Sequence, residues 1–471
     1  MINFSHIKFN KDIFLISTGN IFRIFLVIGY SRLMTFYLNY EQLSKYYIIF
    51  SIYTFFSFII IGSIGHYINR KTIEWINDNS LKDGLLKLFI NLLIPITLFA
   101  FISVFIYTYL VYDSVSYSLI ICSLICSLII FKTSSESIYP IFNIINLNSK
   151  YIFFLLLFNL LNLILSTFFV YIFDFTFQYW MLGLVSSNIL ITFISWRSLL
   201  NNFNFTRPSN INYQEIFSFS SNILIGHVLI WLLTDGFRLI AEQKFTTENL
   251  GILILGLVVS TQIFGIIESM LNQLLYPNYL KNISDVNFEK RSEAFNDYLS
   301  KVLPIILFIA IFITLFSSEV LSVLIDSSKI NSNLINIFQI GLWIEFFRVL
   351  INTLKHITTS EYKTSRIILP YLVGTIVFLI GAFSVKSNLI QFSSLLLLSY
   401  SFIAIFSVIS FNKIIKIKVN YLLFIKLVIK VLPLFFFLIF IKNTFTFILG
   451  GLYLLIVLYQ LINKGFYNEI N

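Results

Sequence analysis

The sequence predicts an all-α integral membrane protein of about fourteen transmembrane helices. Three observations carry that prediction. Hydrophobic residues make up 58% of the 471 positions and charged residues 11%, with a mean hydropathy of +0.88. A soluble domain covers its surface with about a quarter of its residues charged, so here lipid must be the solvent. Apolar runs of the length that crosses a bilayer, about 20 residues, recur from end to end. Lysine and arginine alternate between the two sides of those runs.

The runs fall near 13–30, 46–65, 88–111, 116–131, 151–173 and 179–196. After a polar linker come 216–234, 250–275, 302–325, 334–354, 367–385 and 392–411, and a final pair covers 425–441 and 445–462. The first run follows Lys8 and Lys11 but holds Asn20 and Arg23, which the apolar core of a cleavable signal peptide avoids. The fourth carries Cys122 and Cys126 on one face, with no His or carboxylate beside them, so packing is expected there and no metal site.

An even number of spans puts both termini on one side. With the amino terminus inside, and with Lys426 and Lys430 in the first turns of the run 425–441 counted as cytoplasmic, 23 of the 32 Lys and Arg residues fall in cytoplasmic segments and 7 in outer ones, while Arg23 and Arg348 lie within spans. That bias sets cytoplasmic termini. The net charge of +10 is then a topology signal and does not imply nucleic acid as a partner. The longest loops, 66–87, 197–215 and 276–301, all face the cytoplasm and none can house a soluble domain. No phosphate-loop motif occurs, so ATP is not the direct energy source.

An internal echo suggests two halves. Arg32-Leu33 precedes Glu41-Gln42-Leu43 after the first span, and Arg238-Leu239 precedes Glu248-Asn249-Leu250 after the seventh. Those two spans also begin alike, with Ile13-Phe14 and Ser17-Thr18 matching Ile216-Phe217 and Ser220-Ser221. Both echoes run in the same direction. The expectation is two parallel six-helix lobes, 1–200 and 216–411, joined by a cytoplasmic linker 201–215, with two trailing helices in 412–471.

Local motifs then carry a resemblance. They are Ser31-Arg32-Leu33 through Glu41, and Gly62-Ser63-Ile64-Gly65-His66-Tyr67-Ile68-Asn69-Arg70. Others are Thr234-Asp235-Gly236-Phe237-Arg238 through Asn249-Leu250-Gly251, then Tyr276-Pro277. With these the chain resembles the polysaccharide transporters of the multidrug/oligosaccharidyl-lipid/polysaccharide (MOP) exporter superfamily, specifically the Wzx-type O-antigen flippases. In that family the seventh-span motif often reads Asp-Arg, whereas here two residues separate Asp235 from Arg238.

The resemblance implies two MATE-like lobes around a V-shaped central cavity that opens alternately to each side of the inner membrane. The implied cargo is a polyprenyl-diphosphate-linked oligosaccharide, carried with H+ or Na+ as coupling ion and without a cofactor. A polysaccharide polymerase and a chain-length regulator are the implied protein partners, and membrane lipids surround the bundle.

Against that background each charge inside a span needs a reason, because it costs about 2.5–3.5 kcal/mol at mid-helix. Arg23 reads either as a cavity cation for the diphosphate, since guanidinium forks match phosphate oxygens, or as half of an internal ion pair. Glu345 and Arg348, three apart, share a helical face and read either as substrate contacts or as a local pair that lowers the insertion cost. Glu268, with Asn272 and Gln273, forms a polar stripe that lines a cavity or bonds between helices. Asn159 and Asn162 fit sugar hydroxyls or interhelical glue. Arg32, Asp235 and Arg238 read as a gate or an exposed rim, with Glu242 beside them. His227, alone inside a span, is a candidate proton carrier, while His66 and His356 sit at cytoplasmic helix ends.

Three other functions are weighed against this one. A cation-coupled drug or lipid exporter of the same superfamily favours an acidic or neutral cavity, which the arginines within spans oppose. An O-antigen polymerase-type enzyme needs a large outer loop, and the long loops here lie inside. A membrane O-acyltransferase needs polar company around a deep histidine, which His227 lacks in local sequence.

Overall fold

The computed structural model describes residues 11–57, 62, 64–145, 147–202, 211, 213–283, 287–361, 363–418, 449–454 and 456–457. Among the described residues there is no strand. Among them ten helices are long and apolar enough to cross a membrane, which makes this a multi-pass membrane protein. Only helices that satisfy their own backbone groups tolerate that environment in an open bundle. Leu110, Tyr171 and Phe383 stand largely exposed on helix flanks, where lipid receives them at no cost.

The chain packs as two compact units, Met1–Gln243 and Lys244–Asn471. The first holds α1 (Lys11–Tyr37), α2 (Tyr40–Ser57), α3 (Gly65–Asn77), α4 (Leu81–Tyr112) and α5 (Val115–Ile144). It continues with α6 (Asn148–Ile172), α7 (Phe177–Asn202) and α8 (Tyr213–Trp231), the last running on through a π-helical turn, Leu232–Gly236, to Glu242. The second unit holds α9 (Thr247–Leu274), α10 (Tyr276–Ile283), α11 (Phe288–Leu315) and α12 (Ser317–Leu324). It then adds α13 (Ser332–Ser360), α14 (Ile368–Ser384) and α15 (Leu389–Asn412).

Local sequence explains the hairpins. Asp113 ends α4 at φ 47°, a left-handed geometry that Asp and Asn accept better than other side chains. Ser114 next to it caps α5 by accepting from the Tyr117 N–H. Thr246, Asn287, Asn331 and Asn388 cap α9, α11, α13 and α15 in the same way, supplying acceptors for amides that would otherwise go unpaired. Gln42 reaches across to accept from the Phe177 N–H at 3.0 Å, seating the start of α7.

Small residues bring backbones together, as lipid-embedded bundles require. Gly183 on α7 lies against the backbone of Ser166 on α6, with no room for a Cβ. In the second unit Gly341 on α13 receives Ser260 of α9.

Several helices outrun their apolar stretches. The fourth was expected to end near 131, yet α5 continues to Ile144. Lys132 and Glu136 are an i,i+4 pair, and Thr133, Ser134, Ser135 and Ser137 are buried, so this polar segment stays helical inside the unit. The ninth, expected to start near 302, begins at Phe288, which places Lys290, Arg291 and Lys301 on helical turns. The seventh extends past 234 to Glu242.

The long segment 66–87 is a helical hairpin and no loop. Tyr67, Trp75, Leu81 and Leu85 bury their apolar face against Ile138 and Phe142. The expected span 425–441 lies outside the described residues, as does most of 445–462.

Candidate functional site

The second unit carries a polar seam between α9 and α13. Glu345, Arg348, Asn352 and Lys355 follow one another on α13 at spacings of three and four, which keeps them on one face. Across from them α9 contributes Thr261 and Glu268, two turns apart. Arg348 lies between two carboxylates: its Nε donates to Glu345 Oε2 at 2.5 Å and its Nη1 to Glu268 Oε2 at 2.8 Å.

The remaining carboxylate oxygens are also occupied. Thir donors are Thr261, whose hydroxyl donates to Glu345 Oε1 at 2.7 Å, and Asn352, whose amide donates to Glu268 Oε1 at 2.7 Å. Glu345 is only 5% exposed. Full pairing is what makes such a network tolerable in a low dielectric. Lys355 is half-buried at the end of this seam. It feels the charge of Glu268, but among the described residues its ammonium has no ion pair or hydrogen bond.

In the first unit, Arg238, Lys132 and Arg23 are the cations whose surroundings bear on a site. Arg238 on α8 is only 6% exposed. It pairs with Asp235 at 2.8 Å, donates to Ser51 Oγ at 3.1 Å and lies over the Tyr47 ring at 5.4 Å. Of the two readings for Asp235 and Arg238, gate or exposed rim, exposure does not hold: they form a contact between α8 and α2, and Trp231 reinforces it by donating to the Ser51 carbonyl at 3.0 Å.

Lys132 on α5 sits over Phe50 at 4.9 Å and Tyr53 at 5.0 Å, with Glu136 at 3.8 Å. Arg23, in mid-α1 and half-buried, has no ion pair or hydrogen bond among the described residues. The cations thus sort by what neutralises them. Arg348 and Arg238 are committed to carboxylates, Lys132 is loosely held, and Arg23 and Lys355 have no ion pair among the described residues.

The other expected site residues are placed as follows. Asn162 is buried in the α6–α7 contact, where Ser166 Oγ lies 3.1 Å from its Oδ1. Asn159 donates back to the Leu155 carbonyl of its own helix at 2.7 Å. Arg32 is exposed near the end of α1. The His227 ring packs directly on Gly62, where a Cβ would collide with it. Glu242 accepts a hydrogen bond from Tyr107 of α4.

At the far end of α13, His356 stacks on Tyr276 of α10 at 4.1 Å between centroids. Tyr279 shares a hydrogen bond with Ser360 at 3.1 Å, and burial pushes the Tyr276 and Tyr279 phenols above their usual range. Among the described residues no cluster of His, Cys, Asp and Glu has the makings of a metal site. Cys122 and Cys126 are free thiols that lie near backbone carbonyls of α4.

Sequence reasoning missed Lys132 and Lys355, because both were counted as loop cations. The signal was present in their spacing. Lys132 stands four before Glu136, and Lys355 stands seven after Arg348.

No protein-family model matches the chain, and no curated protein matches it by sequence. Solved structures do. A lipid II flippase, MurJ, in an inward closed conformation superposes with a TM-score of 0.71, covering 98% of this chain and 99% of its own at 15% identity. An outward-facing multidrug-resistance MATE transporter of the MOP superfamily gives 0.52, covering 84% of this chain and 94% of its own at 14% identity. A MOP-superfamily transporter from Pyrococcus furiosus gives 0.54 at 12% identity over 85% of this chain and 92% of its own.

The chain has the fold of the MOP transporters. Within this MOP fold, Arg23, Lys132 and Arg238 belong to the unit Met1–Gln243, and the Glu268–Arg348–Glu345 seam to the unit Lys244–Asn471.

Proposed function

We propose that the protein is a flippase of the bacterial inner membrane. It moves a polyprenyl-diphosphate-linked oligosaccharide, an O-antigen or similar repeat unit, from the cytoplasmic to the outer leaflet by ion-coupled alternating access. The observation that carries this reading is Arg23, a guanidinium in mid-helix with no counter-charge among the described residues. A cation left unneutralised in a low dielectric is costly, and an anionic cargo supplies what the fold withholds. The MOP fold, shared over nearly the whole chain with a lipid II flippase, supports a lipid-linked cargo. Lys355, also without a carboxylate contact, adds to the case against a hydrophobic cationic drug. A transporter of this kind works beside a polysaccharide polymerase and a chain-length regulator and is not itself an enzyme.

The test is complementation. Expressed in a strain lacking its O-antigen flippase, the protein restores surface polysaccharide. Absence of polysaccharide from a well-expressed protein, in strains with several different repeat units, would remove lipid-linked sugar from the candidates.

His227 is the proposed proton carrier of the same cycle. His227→Ala is expected to abolish the pH dependence of transport while the protein stays folded in membranes. Unchanged pH dependence would leave His227 as a packing residue against Gly62 and bring sodium forward as the coupling ion.

A further inference from the structure

In the first unit, α5 is interrupted by a π-helical turn at Leu128–Lys132, packed against α2 and α7. Such turns release backbone groups from the helical ladder and recur at functional sites. One released group is accounted for, since Thr192 of α7 donates to the Phe131 carbonyl at 2.8 Å. Three side-chain groups beside the turn lack acceptors of good geometry.

The Lys132 ammonium has three N–H donors, and among the described residues its nearest acceptor is Glu136 at 3.8 Å, beyond hydrogen-bonding range. The Lys132 side chain is only 15% exposed. The hydroxyls of Tyr53, Ser57 and Thr133 lie near one another, yet those of Tyr53 and Thr133 make no hydrogen bond of good geometry, and these two residues are 1% and 0% exposed. Five potential donors therefore gather at one place with no acceptor of good geometry.

We propose that this side-chain cluster is a second anion site, which takes a phosphoryl group through Lys132, Tyr53 and Thr133. Glu136 is the resident counter-charge that the phosphoryl group displaces. The Phe50 and Tyr53 rings hold the ammonium in place by cation–π contact, so it keeps its position when Glu136 leaves. Glu136 is suited to leaving, because its contact is loose and its side chain is 37% exposed. By contrast, the Asp235–Arg238 pair closes to 2.8 Å and is buried. A phosphoryl group presents several acceptor oxygens to several donors at once. The site does not require the proposed cargo, which bears only on whether the phosphoryl group comes from a lipid diphosphate or from free phosphate.

The test is ligand-dependent thermal unfolding of the full-length protein in nanodiscs. The probes are inorganic pyrophosphate and farnesyl diphosphate, with sodium chloride at matched ionic strength as control. Lys132→Gln is expected to weaken pyrophosphate binding about tenfold or more, Tyr53→Phe to weaken it severalfold, and Glu136→Gln to tighten it by removing the competitor. A purely structural role for Glu136 predicts no tightening.

Equal affinity in wild type and Lys132→Gln overturns the site, as does weaker binding in Glu136→Gln. Should Lys132→Gln fail to fold, Glu136→Gln and Tyr53→Phe decide the matter. Binding lost in Arg23→Ala but unchanged in the Lys132 and Glu136 variants overturns this site and leaves the proposed function standing. Tighter binding of farnesyl diphosphate than of pyrophosphate supports the site with a lipid source, equal binding supports it with free phosphate, and binding of neither overturns it.

Discussion

Replacing Arg23 by alanine is expected to abolish restoration of surface polysaccharide in a flippase-deficient strain while leaving protein levels near wild type. A diphosphate that enters a low-dielectric cavity sheds hydration, and a fixed positive charge offsets that loss. Charge-assisted hydrogen bonds to such an anion contribute about 1.5–3 kcal/mol each, so one lost contact weakens binding roughly ten- to a hundredfold. Arg23 is the residue to test because no carboxylate competes for it among the described residues. Folding is expected to survive, since its removal leaves no partner stranded.

Arg23→Lys keeps the charge but loses the planar fork, so polysaccharide should fall between wild type and Arg23→Ala. Binding of a farnesyl diphosphate probe should follow the same order. Wild-type polysaccharide from a well-expressed Arg23→Ala protein would refute the assignment.

Arg348→Ala is expected to fail in a different way, by destabilising the protein itself. It strands Glu268 and Glu345 side by side with two lost donors, in a seam where Glu345 is 5% exposed. Breaking a buried pair by removing one partner costs about 3–5 kcal/mol. Unfolding of Arg348→Ala in detergent should therefore shift by that order, and expression should drop.

Glu268→Gln should cost much less, because Arg348 keeps Glu345 and the amide oxygen still accepts from one neighbour. The contrast between the two variants is the readout. Equal stability of Arg348→Ala and wild type would mean that water reaches the seam and screens both carboxylates. Loss of transport in Arg348→Ala would accordingly say nothing about cargo contact, whereas the same loss in Arg23→Ala would.

Much of this was legible in the residues. Glu345 and Arg348 stand three apart in an apolar run, and helical periodicity alone brings them together, as the 2.5 Å contact shows. Glu268 was visible as a mid-span charge that needed a partner, but its partner on α13 was not, because eighty positions separate it from Arg348. Asp235 and Arg238 were legible as a pair at i,i+3, yet their burial was misread. What covers them is α2, through Ser51 and Tyr47, and hydropathy along α8 carries no trace of it.

Lys132 shows the same division most sharply. Judged by apolar run length, the helix stops at 131 and Lys132 falls in the cytoplasm. In the folded chain the polar stretch continues as helix and is tolerated inside the unit because its serine hydroxyls donate to carbonyls of the preceding turn, as Ser134 does to Ile130 and Ser137 to Thr133. The ammonium then rests on rings contributed by α2.

By itself the sequence determined that lipid is the solvent, where most helices run and how local charges pair. All of these follow from composition and from contacts within one or two helical turns. Only the tertiary structure decided which cations are committed to carboxylates, because neutralisation in the bilayer depends on carboxylates, hydroxyls and rings from other helices. Those distances are set by packing between helices, and one-dimensional periodicity does not encode them.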